Sequence, residues 1–366
     1  MHKLLAGVLL TAAAALAQTA GPAWLPVSDS RFEINGLPWL AENENQLIRL
    51  PLRLKDAVPK PVWGLAQSPS GGRIRFRTDS NTLAIRLEYP SAPNMPNMHT
   101  FGQTGVDLYL DGIYLSTAKA PLKLEPGVPV EHTYFDFKSQ PRKEREVTLY
   151  LPLYMGVKVL GIGLDKDARI TKAKPFALPK PIVFYGTSIT QGGCASRPGM
   201  SYQAILGRIL NVDYVNLGFS GNGKGEPVMA RALAEIDAEC FVLDFAQNNG
   251  SVESLQKVYD PFIATLREKY PEIPILCVTP ISNSREGATD IPPEMMRRYI
   301  RQVVSKRIGA GDGHLQLIEG TDLLGPDRLD GLVDGVHPND LGFRWMGEGM
   351  AARVAKIFGL KLEQGR

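Results

Sequence analysis

Between Arg31 and about Ile170 the apolar side chains fall on alternate positions. In RIRFRTDSNTLAIRLEY, Ile74 and Phe76, then Leu83, Ile85, Leu87 and Tyr89, share one face of the chain. A period of two marks half-buried strands, so this half reads as antiparallel β structure. Within it VDLYLDGIYLS sets Asp111-Gly112 between two alternating runs, and Asp-Gly tolerates the positive φ angles of a tight hairpin. EVTLYLPLY and VKVLGIGL add short strands, with no long amphipathic helix among them. Residues 18–170 therefore fit an antiparallel β-sandwich of jelly-roll-like type.

The period changes after TKAKPFALPK, residues 171–180, a proline- and lysine-bearing stretch that reads as a linker. From residue 181 to 366 strand-like runs alternate with helix-like ones. PIVFYG (181–186), VDYVNLG (212–218), CFVLDFA (240–246) and IPILCVTPI (273–281) are the strands. SYQAILGRIL (201–210), EPVMARALAEI (226–236) and VESLQKVYDPFIATLREKY (252–270) are the helices. Strands separated by helices close into a parallel sheet with right-handed crossovers, so this half is expected to be a doubly wound α/β domain.

Composition narrows the setting. Forty-one Lys and Arg stand against 38 Asp and Glu, net +3, and no basic block is suited to tracking phosphates, which argues against nucleic acid as a partner. Residues 1–17 carry Lys3, an apolar run from Leu4 to Ala17 and small residues at Ala15-Leu16-Ala17. That layout is a secretory signal peptide too short to span a bilayer comfortably, which predicts an exported protein without membrane insertion once it is removed. Cys194, Cys240 and Cys277 are an odd number and cannot all pair. Cys240 and Cys277 sit in apolar strands as small buried thiols, and Cys194 lies in a loop with no supporting base beside it.

Ligands of an open parallel sheet bind beyond the carboxyl ends of its strands. Ser188 follows the first such strand, GFSGNG (218–223) the second and AQNNG (246–250) the third. A hydroxyl, a glycine-rich loop with free N–H groups and a side-chain amide are what acyl transfer needs: a nucleophile, and donors for the oxyanion. A serine also needs a base. Of the five histidines only His314 and His337 fall in the α/β half, and His314 reads as a polar loop before a strand. His337 stands in VDGVHPND, just before a helix expected to begin near Asn339 or Asp340. Asp334, three residues earlier, is placed to reach the imidazole Nδ1.

These stretches resemble the SGNH (GDSL-type) hydrolases. YGTSITQGG is similar to the nucleophile block with Ser188, VNLGFSGNG to the glycine block with Gly221, VLDFAQNNG to the asparagine block with Asn248, and VDGVHPND to the Asp-x-x-His block with Asp334 and His337. The resemblance implies a flavodoxin-like hydrolase domain, a Ser188-His337-Asp334 triad and an oxyanion hole of the Ser188 and Gly221 N–H groups with the Asn248 amide. No metal or cofactor is implied. RLPLRLKDAVPKPVWGLAQSPSGGRIRFRTDS and MHTFGQTGVDLYLDG resemble the N-terminal β domain, named for Gly-x-Asp-Leu-Tyr (here Gly105 to Tyr109), of one subgroup of bacterial SGNH esterases. Two departures stand out: Thr187 replaces the usual Asp before the serine, and Ala246-Gln247-Asn248-Asn249 replaces Gly-x-Asn-Asp, leaving Asn249 as the other candidate donor.

Rival chemistries lack their residues. GFSGNGKG nearly matches a phosphate-binding loop, but Gly225 stands where a Mg²⁺-binding hydroxyl is needed; no histidine spacing suits a metallohydrolase, and Gly186-Thr187-Ser188-Ile189-Thr190 is not a GxSxG elbow. The expected activity is hydrolysis of small acyl esters, above all acetyl, on carbohydrate. Lipid esters are one alternative. The other is a carbohydrate-binding protein with a silent α/β half, whose sugar platform Trp24, Trp39, Trp63, Tyr109 and Tyr114 could supply if they do not serve as core. Arg285, in the loop after the fourth strand, Gln247 and His99 are candidates for contacting substrate.

Overall fold

The computed structural model describes residues 21–362 except 126, 138 and 287–292, so the leader expected at 1–17 lies outside the described residues. The alternating half forms β1 (Ala23–Leu25), β2 (Glu33–Asn35), β3 (Arg73–Thr78), β4 (Thr82–Glu88), β5 (Val106–Leu110), β6 (Ile113–Ala118), β7 (Val130–Asp136), β8 (Arg145–Tyr150), β9 (Lys158–Leu164) and β10 (Ile170–Thr171), with short helices α1 (Lys60–Ala66) and α2 (Thr100–Thr104). They build two antiparallel sheets, ordered β1-β9-β4-β7 and β10-β3-β8-β5-β6, with β2 paired to β3. Ile74 and Phe76 of β3 meet Leu83, Ile85 and Leu87 of β4 in the core between the sheets, as the alternation requires. The β5-β6 hairpin turns at Asp111 (φ 51°) and Gly112 (φ 81°), both in the left-handed region that its two-residue turn demands.

The second half comprises β11 (Ile182–Gly186), α3 (Ser188–Gln191), α4 (Tyr202–Leu210), β12 (Tyr214–Gly218), α5 (Pro227–Glu235), β13 (Cys240–Asp244), α6 (Val252–Lys269), β14 (Ile275–Val278), α7 (Pro293–Gly309), β15 (Leu315–Ile318), α8 (Gly320–Leu323) and α9 (Asp340–Phe358). The strands form one parallel sheet in the order β12-β11-β13-β14-β15, the doubly wound order whose switch point lies at β11 and β13. Gly186 is in register with Gly218 on one side and Asp244 on the other, so these strands end level and open a crevice there. Cys240 and Cys277 are buried thiols of β13 and β14, and all three cysteines are free. No described helix is long and apolar enough to cross a membrane.

The two halves share a polar seam. The outward side chains of β3 would face water in a free sandwich, yet Arg73 and Arg75 are buried because that sheet face packs on the α/β half. Arg73 pairs with Asp213 and donates to the Tyr214 carbonyl at 3.1 Å. Arg49, fully buried, donates to the carbonyls of Ser68 (2.8 Å) and Leu65 (2.7 Å) on one side, and of Asn216 (3.2 Å) and Gly218 (2.5 Å) at the end of β12. The stretch 171–180 runs pinned along the seam: Arg77 donates to the Lys172 carbonyl at 2.9 Å and Arg75 to that of Lys174 at 2.7 Å.

Candidate active site

Local backbone chemistry raises Ser188 at the end of β11. Gly186 has no room for a side chain, since a Cβ there would lie 2.0 Å from Thr190 Oγ1 and 2.5 Å from the Asp244 carbonyl. Thr187 then caps α3: its hydroxyl accepts from the Ile189 N–H at 3.2 Å while Thr190 Oγ1 accepts from the Thr187 N–H at 3.2 Å. The departure from aspartate at position 187 thus keeps a capping oxygen. Gly192, at φ 99°, ends the four-residue helix.

His337 comes from the opposite wall on a turn that Asp334 itself shapes. Asp334 Oδ1 accepts from the backbone N–H groups of Val336 (3.1 Å) and His337 (2.9 Å). Asn339 caps α9 through the N–H groups of Leu341 and Gly342, placing the helix start where the sequence puts it. The imidazole Nδ1 lies 2.8 Å from Asp334 Oδ2, and its Nε2 lies 2.9 Å from Ser188 Oγ. A carboxylate only accepts, so Nδ1 carries the proton and Nε2 is left to accept from the serine hydroxyl. Burial works against the charge of Asp334, but the His337 N–H, its imidazole and the Asn97 amide outweigh it and hold the carboxyl well below its usual range.

A pocket of about 570 Å³ opens beside Ser188 and His337, lined by Gly221, Gln247, Asn248, Ile281, Met296 and Arg285 among others. Gly221 stands at φ 68°, and neither its N–H nor that of Ser188 has an acceptor among the described residues. The Asn248 amide lines the pocket, yet its N–H₂ donates to the carbonyls of Phe219 (3.1 Å) and Gly223 (3.2 Å), bracing the glycine loop. Asn249 is buried, its amide 3.4 Å from the Phe245 carbonyl. Gln247 donates to Asp244 at 3.0 Å while its carbonyl oxygen is buried without a partner among the described residues. Arg285 stands exposed on the rim. His99 lies elsewhere: it caps α2 by accepting from the Phe101 N–H at 3.3 Å, in a shallow hollow with Asn97, Cys194 and Asp340.

The β half reaches this site through residues that alternation alone does not single out. Tyr154, after β8, donates its hydroxyl to the Ser188 carbonyl at 3.3 Å, and Asn97 donates to Asp334 Oδ2 at 3.1 Å. The Gly-x-Asp-Leu-Tyr motif clamps the loop that follows α3. Fully buried Asp107 accepts from Arg197 (3.0 Å) and from the Gly199 N–H (2.8 Å), and Arg197 also donates to the Tyr109 hydroxyl at 2.8 Å. Tyr109 and Trp39 are thereby core and seam residues rather than a sugar platform. Cys194 offers its sulfur within 4.8 Å of an Asp334 oxygen and a His337 nitrogen, a conceivable metal trio. Those donors are already committed: burial, then the charge of Asp334, pushes the thiol up to about 12, and it donates to the Asn97 carbonyl at 3.2 Å.

A flavodoxin-like sheet with a hydroxyl, an imidazole and a carboxylate in hydrogen-bonded file at its switch point defines an α/β ester hydrolase. Comparison with known families agrees: the GDSL-like lipase/acylhydrolase family matches residues 179–354, and the N-terminus of SGNH-hydrolase-type esterases matches residues 22–170. A crystal structure described as a GDSL-like lipase from Bacteroides ovatus is 32% identical, covering 93% of this chain and 99% of its own, with a TM-score of 0.78. The chain belongs to this GDSL-like family. A salicylyl-acyltransferase from a tetracycline biosynthetic pathway is 23% identical with a TM-score of 0.78 over 93% of this chain and 99% of that one. An acetyl xylan esterase from the rumen bacterium Butyrivibrio proteoclasticus, 15% identical with a TM-score of 0.58, covers 79% of this chain and 91% of its own, and shares the fold. No curated protein matches the chain.

Proposed function

We propose that this protein is an exported serine esterase that removes small acyl groups, acetyl foremost, from carbohydrate. The observation that carries the reading is the file Ser188 Oγ, His337 Nε2, His337 Nδ1 and Asp334 Oδ2, with separations of 2.9 and 2.8 Å, at the mouth of the pocket. Ser188 attacks the ester carbonyl as His337 takes its proton, and Asp334 steadies the imidazolium. The tetrahedral oxyanion rests on the unengaged N–H groups of Ser188 and Gly221, joined by Asn248 when its amide turns from the Phe219 and Gly223 carbonyls. His337 then protonates the leaving alcohol, and water repeats the sequence on the acyl-serine.

Support for a short acyl group and a polar alcohol comes from the site's mixed lining, where Gln247, Asn248 and Arg285 stand beside Ile281 and Met296, and from the fold shared with an acetyl xylan esterase. The leader-like residues 1–17 support export. The test is hydrolysis of an acyl-chain series and of acetylated glycans by the wild type beside Ser188→Ala, with phosphonate labelling and peptide mapping. The expected result is a preference for acetyl, label on Ser188 and a fall in rate of at least about 10³-fold in the variant. Label on another residue sinks the triad; a preference for long chains makes the protein a lipase, and absence of any serine-dependent hydrolysis favours a binding protein.

A further inference from the structure

The carboxylate of Asp334 is held from two directions. Its Oδ1 accepts from the Val336 and His337 N–H groups, all within its own turn. Its Oδ2 faces His337 Nδ1 at 2.8 Å and, from the other half of the molecule, the Asn97 amide nitrogen at 3.1 Å. Among the described residues no other group from outside the 334–337 turn donates to it. We propose that Asn97 is a positioning residue, through which the β half fixes the Asp334 carboxylate in the orientation that receives the His337 Nδ1 proton. This rests on the reading of Ser188, His337 and Asp334 as a triad.

Asn97 is itself held in place. The buried Gln103 side chain accepts from the N–H groups of Asn94 and Met95, both at 3.0 Å, and donates to the carbonyls of Met95 (3.1 Å) and Met98 (2.6 Å), which shapes the loop around Asn97. The Asn97 carbonyl accepts the Cys194 thiol at 3.2 Å, so the same residue grips the segment that follows α3. The chemistry of the side chain is also specific. An amide supplies an N–H to the carboxylate without adding charge, so Asp334 keeps its full attraction for the imidazolium; a Lys or Arg there would neutralise it. With Tyr154 on the Ser188 carbonyl, two ends of the file are braced from the β half.

The test uses the full chain with Asn97→Ala and Asn97→Asp on a small ester. The titratable neighbours are Cys194 and Tyr154, both kept neutral by burial, with His99 and Asp340 across the adjoining hollow and Arg285 on the far rim. Asn97→Ala should lower kcat about tenfold, the scale of one hydrogen bond to a charged group, with KM changed less than about twofold. Its unfolding midpoint should stay at the wild-type value, because the Asn97 side chain is exposed. Asn97→Asp keeps the shape but sets a second carboxylate against the first, which favours the imidazolium. The acid limb of kcat/KM should therefore move to higher pH by about one unit, a change that a merely structural role would not produce. Wild-type kcat and an unmoved acid limb in both variants overturn the proposal. Phosphonate separates this from failure of the triad. A wild type labelled away from Ser188 removes both readings, whereas a wild type labelled on Ser188, with variants labelled equally fast, removes only the role of Asn97.

Discussion

Asp244 ends β13 directly beneath the serine helix, and it is buried with no cationic partner among the described residues. Burial pushes its carboxyl up to about 7, while bonds from Gln247, Thr190 and Tyr202 pull the other way. Unfolded, the same group titrates near 4. Between these values the folded protein binds a proton that the unfolded chain does not. Stability from this group is therefore greatest at acid pH, declines as pH rises towards 7, and above 7 the cost of a buried charge is complete. Asp244→Asn preserves the shape and removes that cost. The variant should match the wild type in urea near pH 4.5 and exceed it near pH 8.5, by at most about 4 kcal/mol for a shift of roughly three units. A wild type more stable at pH 8.5 would mean that the three donors favour the ion enough to outweigh its burial.

Between Gly192 and Met200 the chain runs from the end of α3 to the start of α4, and the clamp on it is the sandwich motif itself. Gly199 sits against the Tyr109 ring, where a Cβ would lie 2.5 Å from a ring carbon and 2.7 Å from its hydroxyl. The ring cannot easily give way, being packed edge-on to Tyr150 and Tyr114. Gly199→Ala should lower the unfolding free energy by about 1–3 kcal/mol, the usual cost of overpacking, read as a fall in urea midpoint at constant slope. An unchanged midpoint would show that the segment yields. This clamp also marks what the sequence could and could not reveal. The parallel strands and the helices 201–210, 226–236 and 252–270 were legible because their periods are local, as was the Asp334-x-x-His337 turn, whose partners lie three residues apart. α7 went unrecognised because Arg and Lys crowd the stretch 293–309, although Met296, Ile300, Val303 and Val304 carry its buried stripe. The roles of Asp107 and Asn97 were hidden for another reason: their partners lie 90 and 237 residues away, and no periodicity spans such distances. His99, read as a candidate substrate contact, instead spends its imidazole on capping α2 and lines the adjoining hollow rather than the pocket beside Ser188.

Two-domain chains commonly unfold in separable steps, because the surface between domains is small and wet. The seam in this molecule is different. Arg49 is buried and binds carbonyls of both halves, Arg73 is buried against Asp213, and Trp39 of the β half donates to Glu235 of α5 at 3.3 Å. Separating the halves strands these groups, at about 1–3 kcal/mol for each unsatisfied polar group, which makes a half-folded chain costly. The sandwich and the hydrolase domain should therefore unfold together. Trp24 of β1 reports on the sandwich, Trp39 and Trp63, which pack against the α/β core, report on the seam, and esterase activity reports on Ser188 and His337. In a thermal or urea titration the fluorescence and activity midpoints should coincide. Arg49→Leu should lower both by the same amount, since it orphans carbonyls at Ser68, Leu65 and Gly218 at once. Activity lost well before the tryptophan signal would show that the α/β half opens alone, and that the seam couples the site to the sandwich only in the folded state.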